Sequence, residues 1–307
     1  MEHDSRIEQS AAPGSCGMMW PGRASPPEAH LYAPDIGDPV FVAECRQRFA
    51  SADPFPHLVI DGLFDLPLLA RVHAEFDARD DPGRSFDNTR ERTWRSLDPC
   101  RFGPAAAAYF DRIHRHDMVQ FLSGISGITP LVVDHSLLNG GMHECPDGGR
   151  FDIHRDFNRH RHTMLDNALV AITYLNPDWR EDWGGELELW CHRRRRVVQR
   201  IAPLLGRTVI FAHGPHSYHG HTRPVNTGGK ASRRSLATYF YTTRPSARDK
   251  IGYHSTVFAF NDRGDFAPGD LFTPARAQNP RQRLNSALRL ATPPALWNLA
   301  RHWLGDL

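Results

Sequence analysis

The sequence predicts an α+β protein with a mainly β core, a double-sheet jelly roll or small barrel preceded by supporting helices and followed by a C-terminal extension. Three observations lead there. Between Leu131 and Arg244 the chain breaks into short β-type runs separated by Gly, Pro, Asn and Asp. Upstream of them apolar residues recur at helical spacing, and downstream the chain is polar and Pro-rich until one last amphipathic stretch.

Taken in order, residues 1–35 are rich in Pro, Gly, Ser and Ala with no apolar period, which predicts a disordered leader. Residues 36–130 hold the predicted N-terminal strand and supporting helices. There PFPHLVIDGLFDLPLLARVHAEFDAR reads as a strand from His57 to Ile60, a turn at Asp61 and Gly62, and a helix with Leu68, Leu69, Val72 and Phe76 on one face. A second helix is predicted over Pro104 to Phe121, where Tyr109, Ile113 and Phe121 keep helical spacing. Residues 131–245 form the predicted β core, with strands at Leu131 to Leu138, Phe151 to His154, Leu169 to Leu175, Gly185 to Trp190, Val197 to Ile201, Thr208 to Ala212, Tyr218 to His221 and Ser235 to Tyr241. In residues 246–307, the C-terminal extension, Pro293 and Pro294 open a predicted helix with Leu296, Leu299, Ala300, Trp303 and Leu304 on one stripe, expected to pack on the chain's own core.

Composition narrows the function classes. The 307 residues are 40% hydrophobic and 23% charged, which fits a folded chain, and the net charge of +2 gives no reason to expect nucleic acid or a membrane as partner. Lysine occurs only at Lys230 and Lys250, the remaining cations being arginine. No apolar run reaches the roughly 18 residues of a membrane span, and MEHDSRIEQS does not start like a signal peptide, so a cytoplasmic location is expected. Cys16, Cys45, Cys100, Cys145 and Cys191 contain no CxxC and read as free thiols, Cys145 as a small buried hydrophobe despite its neighbours His143 and Glu144.

The chemistry starts from His154-Arg155-Asp156. Such a tripeptide arises by chance about once or twice in a chain with 18 histidines, so its setting decides. On a strand, positions i and i+2 share a face about 6.6 Å apart, close enough to lean onto one ion. A third ligand must come from a distant strand, and HGPHSYHGH offers His219 or His221. Two imidazoles and a carboxylate with open positions is the donor set of mononuclear non-haem iron oxygenases. An electron source such as 2-oxoglutarate then needs a cation for its far carboxylate. Arg233 with Ser235 on one face supplies a guanidinium and a hydroxyl. Arg234 points to the other face, with Leu236 and Phe240, whereas Arg233 shares its face with Ser235, Ala237, Tyr239 and Tyr241.

FDIHRDFNRH, ALVAITYLNPDWREDWGGELELW, SYHGHTRPV and RRSLATYFYT together resemble the iron(II)/2-oxoglutarate-dependent dioxygenase superfamily, in its bacterial prolyl-hydroxylase-like branch. The resemblance covers roughly residues 131–244, with PFPHLVIDGLF and FLSGISGI before it. It implies a double-stranded β-helix, cupin-like in architecture, with His154, Asp156 and His219 as iron ligands and Arg233 with Ser235 as the 2-oxoglutarate anchor. It further implies Fe(II), 2-oxoglutarate and O2, with ascorbate as a reductant, and hydroxylation of an unactivated C–H bond with release of succinate and CO2. Because Asp156 is present, halogenation is not implied; desaturation and ring closure stay open. Prolyl hydroxylases often carry lysine where Arg233 stands, so proline is not implied as the substrate, which reads only as a small molecule or a peptidyl group.

Weaker signals complete the reading. Arg193 to Arg196 reads as the solvated tip of a hairpin. Gly184 and Gly185 read as permitting close backbone approach, and Glu186 and Glu188 alternating with Leu187 and Leu189 as a half-buried strand. Asn158, Arg159, His160 and His162 fit either a substrate mouth or a polar loop, and Asp80 to Cys100 and the C-terminal extension are the candidate substrate loops. Two rival functions are a metal-dependent cupin isomerase or hydrolase, which leaves Arg233 and Ser235 idle, and a non-catalytic jelly-roll binding module, which needs no convergence of His154, Asp156 and His219.

Overall fold

The computed structural model describes residues 34–243 and 253–260; most of the expected leader and the helix expected from Pro293 lie outside them. The N-terminal layer opens with α1 (Pro39–Ser51), capped by the Asp38 carboxylate, which accepts from the Val40 N–H at 2.9 Å. This helix escapes sequence reading because only Cys45 and Phe49 are buried while Val40 stays exposed, so no clean apolar period marks it. β1 (His57–Asp61) stands where predicted. α2 (Leu66–Glu75) follows, with Asp65 accepting from the Leu68 N–H at 3.1 Å and Leu68, Leu69 and Val72 buried. β2 (Arg84–Asp87) and β3 (Arg92–Arg95) make a hairpin, and α3 (Pro104–Ile113) and α4 (His116–Ser126) replace the single helix expected over Pro104 to Phe121. The helix breaks because Arg115 adopts extended backbone, which lets both Ile113 and Phe121 turn into the core.

β4 (Val132–Val133) is all that pairs within the expected strand Leu131 to Leu138. Beyond it the Asp134 carboxylate accepts from the N–H groups of Ser136 and Leu138, both at 2.9 Å, and winds the chain into a turn. The strand that enters the core is β5 (Gly141–Cys145), whose GMHEC shows no alternation because both of its faces are covered. After it come β6 (Phe151–Arg155), β7 (Asp166–Tyr174), β8 (Leu187–Cys191), β9 (Arg196–Ile201), β10 (Arg207–Ala212), β11 (Tyr218–His221), β12 (Arg233–Thr242) and β13 (Val257–Phe258). The tip between β8 and β9 is a turn with Arg193 to Arg196 exposed, as expected.

From β5 onward the chain steps back and forth between two antiparallel sheets. One sheet runs β1-β10-β7-β12-β5-β3-β2, with β4 beside β12; the other runs β13-β6-β11-β8-β9. This is the jelly-roll order, with the eight strands β5 to β12 divided four and four, so the double-stranded β-helix expectation holds. The larger sheet uses both faces. Leu169 and Ala171 of β7, Ile210 of β10, and Leu236 and Phe240 of β12 pack with Leu69, Val72, Phe110 and Phe121 of the helices. Val170, Tyr174, Val209 and Phe211 face inward onto Leu187, Leu189 and Ile201 of the smaller sheet. The helices therefore buttress the sheet, as the sequence suggests, and leave its other face for the interior.

Glu186 and Glu188 depart from the half-buried expectation, since both are buried. Glu186 is held by Arg223 at 2.7 Å and Glu188 by Arg200 at 3.1 Å, which compensates their desolvation. Cys45, Cys145 and Cys191 are free thiols as expected, and burial pushes the Cys145 thiol up to about 12, in keeping with an inert packing role. Cys100 departs from that expectation, being disulfide-bonded. Among the described residues no helix is long and apolar enough to cross a membrane.

Candidate active site

The two sheets enclose a cavity of about 1000 Å³ lined from both sides. The smaller sheet presents His154 at the end of β6, Asp156 two residues on, and His219 from β11, whose Cα is paired directly with that of His154. The His154 Nε2 lies 3.5 Å from Asp156 Oδ1, the His219 Nε2 lies 3.6 Å from Asp156 Oδ2, and the three donor atoms fall within 4.8 Å of one another. Both imidazoles are oriented from behind. His154 Nδ1–H donates to the Asp152 carbonyl at 2.8 Å and His219 Nδ1–H to the Ser217 carbonyl at 2.9 Å. Since a carbonyl only accepts, each ring keeps its Nε2 lone pair for the common point.

Protonation agrees with that arrangement. Burial alone pushes the Asp156 carboxyl up, yet His219, His154 and His213 beside it outweigh burial and hold it well below the usual carboxylate range. Burial lowers His219 to about 4 in spite of Asp156. One anionic carboxylate and a neutral imidazole result, and Asp156 Oδ2, buried without a hydrogen-bond partner, is the atom a cation would satisfy. The site fits a divalent metal.

Sequence spacing leaves His219 and His221 equivalent, and the fold separates them. His219 pairs with His154, but His221 pairs with Phe151, so an extra residue is accommodated in β6 and the register shifts between the two histidines. Gly220 permits it, because a Cβ there would sit 2.8 Å from the Phe151 carbonyl oxygen and 2.9 Å from that of Asp152. His221 is buried in the cavity wall with Nδ1 unpartnered, outside the group of three.

The larger sheet separates Arg233 from Arg234 in the same way. Arg233 is 6% exposed; its Nε donates to the Gly185 carbonyl at 2.7 Å and its Nη2 to the Tyr174 hydroxyl at 3.2 Å. Among the described residues no carboxylate pairs with it. Gly185 explains the approach, having a φ of +69° and a Cβ position 3.2 Å from Arg233 Cδ. Ser235 lies beside it in the cavity wall. Arg234 turns to the opposite face, where Glu144 at 3.1 Å, Asp77 and the His73 carbonyl occupy it.

Sequence reasoning missed much of the wall. β13 pairs with β6, setting Phe258 opposite His154, and Tyr253, His254, Ser255 and Thr256 continue that side. Thr93 and Arg95 of β3, His143 of β5 and Tyr239 of β12 complete the other. The stretches singled out as substrate loops do line the cavity, but RERTWR carries no motif that shows which of its arginines faces inward. Of the four polar residues that follow β6, Arg159 lines the cavity and pairs with Asp166 at 2.7 Å, while His160 lies 3.3 Å from Asp134.

Two imidazoles, a carboxylate and a facing guanidinium define a non-haem metal oxygenase type of site. Residues 140–241 match the family model of the 2OG-Fe(II) oxygenase superfamily, so the resemblance read from the sequence holds. Over that third of the chain the sequence is similar to 2OG-Fe(II) oxygenases, and the donor set of His154, Asp156 and His219 suits the Fe(II), 2-oxoglutarate and O2 that such a core uses. Among solved structures it is similar to a Pseudomonas putida prolyl-4-hydroxylase, at 20% identity over 66% of this chain and 100% of that one, with a TM-score of 0.47. A Trichoplax adhaerens prolyl hydroxylase in complex with a hypoxia inducible factor peptide is 15% identical over 66% and 89% of the two chains, with a TM-score of 0.47. HygX from Streptomyces hygroscopicus, with nickel and 2-oxoglutarate bound, is 15% identical over 68% and 96%, with a TM-score of 0.46. No curated protein matches the sequence.

Proposed function

We propose that this protein hydroxylates an unactivated C–H bond of a small-molecule or peptidyl substrate, holding Fe(II) on His154, Asp156 and His219 and the far carboxylate of 2-oxoglutarate on Arg233 and Ser235. The observation that carries the reading is the pairing of three convergent donors on one sheet with an uncompensated buried guanidinium on the other. Fe(II), 2-oxoglutarate and O2 together supply an oxidant able to cleave a C–H bond, with succinate and CO2 released. The Asp152 and Ser217 carbonyls aim the two Nε2 lone pairs, so the metal site needs little reorganisation on binding. Tyr174 and the Gly185 carbonyl hold the Arg233 fork in place. Phe151, Phe157 and Phe258 keep water from the space in front of the donors.

A cupin isomerase or hydrolase leaves the charge of Arg233 unanswered, and a binding module has no need of an orphaned Asp156 oxygen. The deciding experiment is an anaerobic titration of apo-protein with Fe(II) and 2-oxoglutarate, following the visible charge-transfer band of the chelate. The band is expected in the parent and in His221→Ala and absent in His219→Ala. Metal binding without the band in the parent refutes the 2-oxoglutarate reading. A band lost in His221→Ala and kept in His219→Ala reverses the ligand assignment.

A further inference from the structure

Besides Arg233, one more arginine of the larger sheet lines the cavity largely buried and, among the described residues, keeps guanidinium N–H groups without an acceptor: Arg95. Its side chain is 19% exposed and its one acceptor among the described residues is the Glu91 carboxylate, on Nη2; Nε and Nη1 have none. The guanidinium is clamped between two rings, 4.7 Å from the centre of Phe86 and 5.2 Å from that of Phe151. It is therefore preorganised, and its open edge borders the cavity.

Position separates it from the co-substrate anchor. In register, Arg95 of β3 stands beside His143 of β5, and His143 beside Ser235 of β12. Arg95 is thus two strands, roughly 10 Å, from the Arg233 and Ser235 strand. On its other side it is one aromatic ring from the metal centre, since Phe151, over which it lies, stacks on His154 with ring centres 3.8 Å apart. The two carboxylates lining the cavity are committed elsewhere: Asp156 faces the histidines, and Glu144 is held by Arg79 at 2.8 Å and Arg234 at 3.1 Å. His143, between the two arginines, is kept neutral by burial, which lowers it to about 3. Among the described residues nothing answers the open edge of Arg95.

We propose that the substrate carries an oxyanion, a carboxylate or a phosphate, which docks on Arg95 beside Phe151 and so sets the distance between that group and the carbon that is oxidised. This deepens the oxygenase reading and rests on it. A planar or tetrahedral oxyanion takes two parallel N–H donors from one guanidinium, and Arg159, whose Nη groups have no partner among the described residues, adds positive potential to the cavity.

The test titrates the anaerobic Fe(II) and 2-oxoglutarate-loaded protein with inorganic phosphate, benzoate and, as the uncharged match, benzamide, by calorimetry. One of the two anions is expected to bind at least tenfold tighter than benzamide, and the tighter one names the group. Arg95→Gln is expected to remove that preference while leaving 2-oxoglutarate affinity within threefold. Should Arg95→Gln not fold, Arg95→Lys carries the test, with an expected loss of threefold or more as the planar fork goes. No preference over benzamide in the parent, or a preference undiminished in the variant, overturns the proposal. So does a collapse of 2-oxoglutarate affinity in Arg95→Gln, which makes Arg95 part of the co-substrate site. If the parent fails to bind 2-oxoglutarate, the oxygenase reading falls, and the same anion titrations on apo-protein, run with Arg233→Ala and with Arg233→Ala/Arg95→Gln, still decide the role of Arg95.

Discussion

Arg233 and Arg234 are chemically identical neighbours with opposite surroundings, and their removal is expected to fail in different ways. In the proposed function Arg233→Ala would leave the buried co-substrate carboxylate unpaired, at roughly 2–5 kcal/mol, so 2-oxoglutarate affinity should fall about thirty-fold to a few thousand-fold with little change in stability. Arg234→Ala strips partners from buried Glu144, which keeps only Arg79, and should lower stability by about 1–3 kcal/mol in urea unfolding while 2-oxoglutarate affinity stays within threefold. Exchanged phenotypes would make Arg234, not Arg233, the co-substrate anchor. This distinction is legible in the sequence, because adjacent strand residues must face opposite ways and Ser235 and Ala237 suit a pocket better than Leu236 and Phe240. His219 against His221 is not legible, since strand alternation gives both the same face. What separates them is a shift in the partner strand, and a bulge of that kind depends on Gly220 meeting backbone far away in the sequence. Arg95 was invisible for a related reason: its inward direction follows from pairing across to His143, a contact between segments about fifty residues apart.

At the level of elements, the sequence shows a strand or helix where the buried positions are filled by apolar residues. β1, α2 and most of the core strands satisfy that condition and stand near their expected places. β5 does not: with His143 toward the cavity and Glu144 toward Arg79 and Arg234, it reads as polar loop, and the expectation slides to the apolar Leu131 to Leu138. The break between α3 and α4 is equally hidden, because Ile113 and Phe121 keep a helical phase across it. α3 is also capped from outside its own sequence. Its N-cap residue Gly103 offers no side chain, and the Glu75 carboxylate of α2 accepts from the N–H groups of Ala105 and Ala106 at 2.7 and 2.8 Å. Glu75→Ala is expected to cost about 1–2 kcal/mol by thermal or urea unfolding. Gly103→Ser alone should bring no gain, as its Cβ would lie 2.3 Å from Glu75 Cδ, but on the Glu75→Ala background it should recover about 1 kcal/mol. A serine that stabilises both backgrounds equally would show that Glu75 does not cap α3.

Across the whole molecule, several histidines are held neutral by burial. His114 is lowered to about 4, with His135 adding to burial and Asp134 opposing it, and His254 is lowered to about 3. Their unfolded values lie near 6.5, so below that pH the unfolded chain binds protons that the folded chain does not. Stability is then full above about pH 6.5 and is lost as pH falls toward 4, each such residue contributing at most about 1.4 kcal/mol per pH unit. The urea midpoint should drop clearly between pH 7 and pH 5, and an unchanged midpoint would show that these rings are charged in the folded state. The arrangement of the site across the sandwich has a consequence of another kind. His154 and His219 project from hydrogen-bonded neighbours in one sheet, whereas Arg233 and Ser235 belong to the other, so in the proposed function the co-substrate would measure the gap between the layers as a feeler gauge does. Swelling that preserves every rung of both sheets would part anchor from metal and still leave the metal its three donors. In rising urea the 2-oxoglutarate band should therefore vanish before metal binding does, and Leu189→Ala, which thins the packing between the layers, should widen the interval. Simultaneous loss of both would mean that the sheets never separate without dissolving. On the proposed roles, a chain with this layout would take up metal while still loosely closed and would become competent to use its co-substrate only once the two layers have locked at their final spacing.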